Sequence, residues 1–463
     1  MTVEGQDTAG YELETWARTI LIGSRAPNPH DKVKAYRILT RADHPAYQAH
    51  LAKALLDLSY QSGNYAAPQT RLALLEEAAD AARNVRRDEP RRGELVVRTL
   101  DAYQRTLYQL RRRAEGLAVR EEMATANRLA FAAGERGWVE WGLRAWAHGL
   151  AEEGRHAEAA AALTELLDVT LPEDTWGACT WDRLSLTAQL DAAGHADAAV
   201  ETLGAILDED RAGLAADRAS LGGVFHTLIW YARLLDHAHR ADDADAARHE
   251  ALDLLRRLAT TGEPRSWSGS RFSYDGILLA VQASNAEPHT PGRPRPAFGT
   301  DPNHWSPDLR ERYFEESGIT RSEAPSCGRP DTLRDMARRE RRLLELALTR
   351  RRLAVRSGVY WLWRNGHRFL EPALPAFNDS VDTARRLHTR TPATGRPPLI
   401  HALTDRAMIL TAGHRYSEAL NDYREALTLH STTAAIVVAR NERASTRASG
   451  WLGFAGAPKG RRG

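Results

Sequence analysis

Residues 401–430 read HALTDRAMILTAGHRYSEALNDYREALTLH, and this stretch decides the fold. Apolar residues recur at helical spacing on both sides of a short break at Gly413-His414, which predicts two amphipathic helices joined by a tight turn. The same pattern returns upstream. Residues 141–169 read WGLRAWAHGLAEEGRHAEAAAALTELLDV, residues 181–208 read WDRLSLTAQLDAAGHADAAVETLGAILD, and residues 227–259 read TLIWYARLLDHAHRADDADAARHEALDLLRRLA. Weaker copies cover 95–130 and about 50–85. Repetition of one helical hairpin marks a stacked array, because a single hairpin cannot bury its apolar face alone.

These segments resemble the tetratricopeptide repeat, a helix-turn-helix unit. The resemblance implies a small residue midway along the first helix, another at the turn, and two more seven apart on the second helix, where the helices approach closely. The 401–430 copy places Ala407, His414, Ala419 and Ala426 there, and the 227–259 copy places Ala232, His239, Ala244 and Ala251. The 141–169 copy has Ala147, Gly154 and Ala159, with Leu166 in the last place. In the 181–208 copy Gly194 and Ala199 fit, while Thr187 and Ile206 depart. In the 95–130 copy Gly116 and Met123 hold the second-helix positions and Gln104 departs. The second-helix position runs Gly116, Ala159, Ala199, Ala244, at steps of 40 to 45 residues, longer than the standard repeat of about 34. That looks like the extended-helix variety found in kinesin light chains and in many actinobacterial proteins. The expected fold is all-α, an α-solenoid of tetratricopeptide-like hairpins with a Pro-rich insertion.

Organisation follows from composition along the chain. Residues 1–50 are expected to supply capping helices, since the first apolar face of a solenoid has no neighbour. Residues 51–284 form the main array. Prolines 288, 291, 294, 296, 302 and 307 punctuate the next part, and proline at that density defeats long helices. Residues 285–331 are therefore expected as a loop or disordered insertion. Helix resumes over 332–356, rich in arginine, and the segment 332–448 carries the best-matching repeat and a last helix from about 432. Residues 449–463 read as a flexible basic tail.

Composition excludes several classes. Of 463 residues, 43% are hydrophobic and 27% charged, which argues against global disorder. No apolar run reaches the roughly 20 residues of a membrane helix, and Met1–Gly10 lacks the order of a signal peptide, so a cytoplasmic protein is expected. The formal net charge of +2 gives no global pull toward nucleic acid or membrane. Basic residues are almost all arginine, which looks like coding bias of a GC-rich, actinobacterium-like genome and weakens any arginine cluster as a phosphate signal. Only Lys32, Lys34, Lys53 and Lys459 occur, none preceded by glycine, so a P-loop is absent. Rossmann, His-Glu-x-x-His and Gly-x-Ser-x-Gly motifs are absent too. Cys179 and Cys327 are too few for a disulfide framework or a four-cysteine zinc site. His237, His239, Asp242, Asp243, Asp245 and His249 cluster in one hairpin, but turns attract such residues regardless. No metal and no cofactor is expected.

The resemblance implies that first helices line a concave groove holding a peptide or partner helix. By position, that groove would present Arg98, Asp101, Arg105 and Tyr108, then Trp141, Arg144 and His148, then Trp181 and Asp191, then His226, Arg233 and Asp236. Arg, Trp and Tyr dominate binding hot spots, and an acidic or aromatic protein or peptide segment suits this lining. For any single arginine, the plain alternative is pairing with a neighbouring acid on a solvated face. The expected function is that of a non-catalytic adaptor or regulatory protein. Two alternatives stand beside it. One is a nucleic-acid-binding protein using the arginines of 332–356 with Trp361 and Trp363. The other is an enzyme on an α/α scaffold, for which carboxylate pairs such as Glu152 and Glu153 supply no distinctive motif.

Overall fold

The computed structural model describes residues 3–23, 27–42, 44–61, 63, 66–135, 137, 140–170, 180–264, 270–287, 292–315, 333–365 and 370–431. Among them the chain is all-α, with no strand. In order come α1 (Val3–Ile22), α2 (Pro29–Ala42), α3 (His44–Ser59), α4 (Pro68–Arg83), α5 (Arg92–Gln109), α6 (Arg113–Ala132), α7 (Trp141–Glu152), α8 (His156–Thr170) and α9 (Thr180–Ala192). They are followed by α10 (Ala196–Ala215), α11 (Leu221–His237), α12 (Ala241–Thr261), α13 (Ser270–Gln282), α14 (Pro307–Glu315), α15 (Leu333–Asn365), α16 (Leu374–Arg390) and α17 (Pro392–Ala412). The last described helix, α18, spans 416–431. No described helix is long and apolar enough to cross a membrane.

The chain divides into two compact units. One comprises residues 1–206 and 289–315, the other residues 207–288 and 316–463. In the first, each helix from α1 to α8 packs against its successor, the arrangement of an α-solenoid. Its apolar stripe runs from Val33 through Leu55, Ala79, Val97 and Leu100 to Met123 and Ala145 without a break. In the second, α11 packs on α12 and α13, α13 on α15, α15 on α16, and α16 on α17.

Five of the hairpin turns are built one way. Arg111, Gly154, Gly194, His239 and His414 all take a left-handed backbone, with φ between 58° and 84°. The next residue's N–H then reaches back to a leucine carbonyl. Arg112 bonds Leu107, Arg155 Leu150 and His195 Leu190 at 2.9 Å, and Arg240 bonds Leu235 and Arg415 Leu410 at 2.8 Å. This closure satisfies carbonyls that the first helix would leave open. Four of these following residues are arginines that pair with an acid three places on: Arg112 with Glu115, Arg155 with Glu158, Arg240 with Asp243 and Arg415 with Glu418. A second device caps the opposite end. Glu135, just past α6, accepts from the N–H groups of Gly93 and Glu94 at the start of α5, both at 3.1 Å. Glu263, just past α12, does the same for Leu221 and Gly222 of α11, at 3.2 and 2.8 Å. A carboxylate there meets both open donors and the positive helix end.

The helix positions carried over from the repeat family are core positions, whereas the turn positions Gly154, Gly194, His239 and His414 are exposed. Ala232, Ala244, Ala251, Ala407, Ala419 and Ala426 are buried, as are Ala147, Ala159 and Ala199. The departures Gln104, Met123, Leu166, Thr187 and Ile206 are buried as well. Gly116 shows why small residues matter: a methyl group there would stand 2.8 Å from Cε2 of Tyr108 on the facing helix.

Two boundaries need correction. The Pro-rich region is not structureless where it is described. Residues 292–315 form a packed segment with a single 3-10 turn at Pro302–His304, then α14, and Ala297, Trp305, Leu309 and Tyr313 are buried. Pro302 and Pro307 sit in the first turns of their helices, where a missing N–H costs nothing. The arginine-rich helix, expected to stop near 356, continues to Asn365 and carries Tyr360, Trp361 and Trp363. The expected helix from 432, the tail 449–463, residues 316–331, Cys179 and Cys327 lie outside the described residues.

Candidate functional site

The first-helix residues of the first unit form one polar lattice. Asp101 of α5 is 6% exposed and accepts from Gln104 at 2.9 Å, Arg105 at 3.0 Å and the indole N–H of Trp141 at 2.7 Å. The last bond joins α5 to α7. Arg144 of α7 then reaches α9, placing two N–H groups at 2.6 Å from the two oxygens of Asp182. The Arg105 guanidinium lies 5.8 Å above the Trp141 ring. Arg98 is half exposed and pairs with Glu94 at 3.3 Å. Trp181 is half-buried at the head of α9, and Asp191 lies near its end.

Two of the expected lining residues are interior. Tyr108 is fully buried between the guanidinium groups of Arg113 and Arg120, 4.9 and 4.5 Å from its ring, and burial pushes its hydroxyl up to about 12. His148 is 2% exposed, and neither ring nitrogen has a hydrogen-bond partner among the described residues. Burial, then the neighbouring His304, Arg120 and Arg144, holds its imidazole well below the ordinary range. His304 stacks on it with ring centroids 5.6 Å apart and lies 4.9 Å from the Trp141 ring. Neither Tyr108 nor His148 is on offer to a partner in this arrangement.

What covers His148 was not legible in the residues. The segment 292–315 lies along the faces of α7 and α9. The Arg295 N–H bonds the Glu152 carbonyl at 2.9 Å, and the Ser306 N–H bonds the Glu152 carboxylate at 2.6 Å. Ser185 and Gln189 of α9 donate to the carbonyls of Gly299 and Phe298, at 3.2 and 3.1 Å. Arg113 bridges the fully buried carboxylate of Glu152, Glu153 and Asp308, at 3.1, 2.7 and 2.9 Å. Thus the helix faces expected to hold a peptide hold a distant part of this chain, contacted through its main chain. Glu152 shows no sign of the paired-carboxylate chemistry of a glycosidase: its oxygens are taken by Arg113 and by a backbone N–H.

No protein-family model matches the chain, and no curated protein matches it. Among solved structures, the chain is similar to a circular tandem repeat protein with novel repeat topology and enhanced subunit contact surfaces. The identity is 14%, over 92% of this chain and 98% of that one, with a TM-score of 0.14.

In the second unit the three remaining residues lie on α11. His226 is 1% exposed, with Nδ1 2.7 Å from Asp275 and Nε2 3.0 Å from the Met408 carbonyl. Arg233 donates to the carbonyls of Val281 and Gln282 at 2.6 and 3.1 Å, closing the end of α13. Asp236 pairs with Arg248, and burial raises its carboxyl above the usual range. Three arginines of α15 are held within the unit. Arg351 makes a bidentate pair with Asp405 and is 3% exposed, Arg356 makes one with Glu287, and Arg350 donates to Thr383. These three are not presented to phosphates. In the histidine-rich hairpin, Asp243 and Asp245 pair with Arg240 and Arg248, and His249 bonds the Asp245 carbonyl at 2.7 Å. Among the described residues, no group of three or more His, Cys, Asp or Glu side chains is placed to hold a metal ion.

Proposed function

We propose that the protein is a non-catalytic helical-repeat scaffold that binds a protein or peptide partner, in an adaptor or regulatory role. The supporting observation is the seating of residues 292–315 on α7 and α9. There, first-helix side chains such as Ser185 and Gln189 hydrogen-bond the main-chain carbonyls of Gly299 and Phe298, which lie in a turn of that segment. Groups that read a backbone in this way suit a peptide segment, because main-chain bonds supply affinity whatever the sequence. The accessible continuation of this face lies at Arg98 and Arg105 of α5, whose guanidinium groups favour an acidic or aromatic segment.

The test is capture from nuclease-treated lysate by wild type and by an Arg98→Glu variant. Arg98 is exposed and pairs with Glu94 in α5, so circular dichroism should show an unchanged fold. Loss of a captured protein in the variant supports this face as the binding surface. Equal capture by both removes it. Recovery of nucleic acid alone, from lysate not treated with nuclease, favours the arginine-rich helix instead.

A further inference from the structure

The second unit holds a cavity of about 60 Å³ whose unmet hydrogen bonds identify what fits it. Ile229 of α11, Ile400 of α17 and Leu427 of α18 supply apolar walls, and Gln282, His401 and His430 supply polar ones. Gln282 is the last residue of α13. It is 6% exposed, and its Oε1 is buried without a hydrogen-bond partner among the described residues.

Both imidazoles are held toward the neutral form. Burial, reinforced by Arg248, pushes His430 down to about 4. Burial, reinforced by Arg351, holds His401 well below the ordinary range. A neutral imidazole presents one donor and one acceptor. The cations around the cavity already have partners. Arg248 is engaged by Asp236 and Asp245, and Arg233 by the carbonyls of Val281 and Gln282.

Those facts discriminate between ligand chemistries. A carboxylate has no hydrogen to give Gln282 Oε1 and would face it oxygen to oxygen. An ammonium group would enter beside two guanidinium groups. A hydrocarbon would leave the buried Gln282 Oε1 unpaired, which burial makes costly. A carboxamide carries a donor and an acceptor, so it can pair reciprocally with the Gln282 amide and still meet an imidazole. Size agrees. One buried water needs about 10–15 Å³ of such space, so the cavity takes about four or five small heavy atoms, the end of an Asn or Gln side chain.

We propose that this cavity between α11, α17 and α18 is a binding subsite for a neutral carboxamide, carried by an Asn or Gln side chain of the partner. The proposal rests on the reading of the protein as a partner-binding scaffold, but its test uses the free group. The full chain, with labelled histidine, is titrated at pH 7.5 with propionamide and, separately, with isosteric propionate. The Cε1–H signals of His401 and His430 are followed, assigned through H401Q and H430Q.

Propionamide should shift both signals saturably, and propionate should bind at least about tenfold more weakly. Gln282→Met, which keeps the volume and removes the amide, should weaken propionamide at least about fivefold. If that variant fails to fold, the comparison of the two probes on wild type decides alone. Propionate binding as well as propionamide would make this an anion site and overturn the proposal. No saturable shift with either probe would mean that water alone fills the cavity, and would overturn it too. An unchanged propionamide affinity in a folded Gln282→Met variant would do the same. Loss of capture by Arg98→Glu is read on the other unit, so failure here and failure of the scaffold reading are told apart.

Discussion

The indole N–H of Trp141 donates to Asp101 across 2.7 Å, joining the first helix of one hairpin to the first helix of the next. Asp101 is almost wholly buried and also receives Gln104 and Arg105. Trp141→Phe keeps the ring and removes one of three donors to a buried carboxylate. The expected cost is about 1–3 kcal/mol, the range for hydrogen bonds to charged groups. Urea denaturation measures it. A double-mutant cycle with Asp101→Asn should return a coupling of about 0.5–3 kcal/mol, and a coupling of zero would remove this bond from the forces that stack the hairpins.

Gly116 tests close approach against helix propensity. Alanine is the better helix former by about 1 kcal/mol. A methyl group at Gly116, however, would stand 2.8 Å from the ring of Tyr108, which is itself wedged between Arg113 and Arg120. Overpacking costs about 1–3 kcal/mol, so Gly116→Ala should destabilise on balance. A raised melting temperature would show that the two helices have room to part.

His239 occupies a left-handed turn position at φ 58°, where Gly154 and Gly194 stand in sister hairpins. For a residue with a Cβ that conformation costs roughly 1–2 kcal/mol. His239→Gly relieves it but frees the unfolded chain. The net expectation is a stabilisation of about 0.5–1 kcal/mol, read from the urea midpoint. Destabilisation would mean that the His239 side chain contributes more than the backbone strain removes.

The turn positions, and with them the hairpins, were legible because one residue per hairpin must adopt this backbone and the sequence breaks its apolar period there. The small residues of the second helices were legible through the family resemblance, and Ala159, Ala199, Ala244 and Ala419 are all buried. The lining residues were legible as a face of the first helices, but not their burial. The stacking of His304 on His148 brings in a residue far away in the chain, from 292–315, and no local period records such a contact. The composition of that segment pointed the wrong way: Pro302 and Pro307 start short helices, and its aromatic residues, Phe298, Trp305, Tyr313 and Phe314, pack on one another. The leucine five residues before each arginine or histidine that follows a turn was a signal available in the sequence and missed.

Acid should weaken the first unit through His148 and His304. Burial, opposed in part by Asp301 and reinforced by Arg144 and Arg105, brings His304 down to about 4, and His148 is held lower than its ordinary value by the same kind of surroundings. In the unfolded chain both take up a proton near pH 6.5. Between about 6.5 and 4 the unfolded state therefore binds more protons, and stability falls as pH drops through that window. Above it the contribution is fully present. Each imidazole supplies a slope of about 1.4 kcal/mol per pH unit there. His304→Asn should flatten the fall of the urea midpoint between pH 6.5 and 4.5. An unchanged slope would place the acid sensitivity elsewhere, for instance at His401 and His430 of the second unit.

Trp305 is the anchor of the covering segment. It is 1% exposed, its indole N–H reaches the Ala297 carbonyl at 3.1 Å and the Thr300 hydroxyl at 3.0 Å, and it stacks on Phe314. Trp305→Ala should remove about 3–5 kcal/mol of local packing and loosen residues 292–315 from α7 and α9. Amide hydrogen exchange should accelerate in the segment and at the adjoining face of α9, with α2 to α4 unchanged, because local opening is confined to the elements that lose contacts. The uncovered face then becomes available. A synthetic peptide of residues 292–315 should bind the variant and not the wild type, whose own segment competes at far higher effective concentration. If the segment loosens and the peptide still finds no site, these helix faces do not recognise an extended chain, and the scaffold reading loses the observation that carries it.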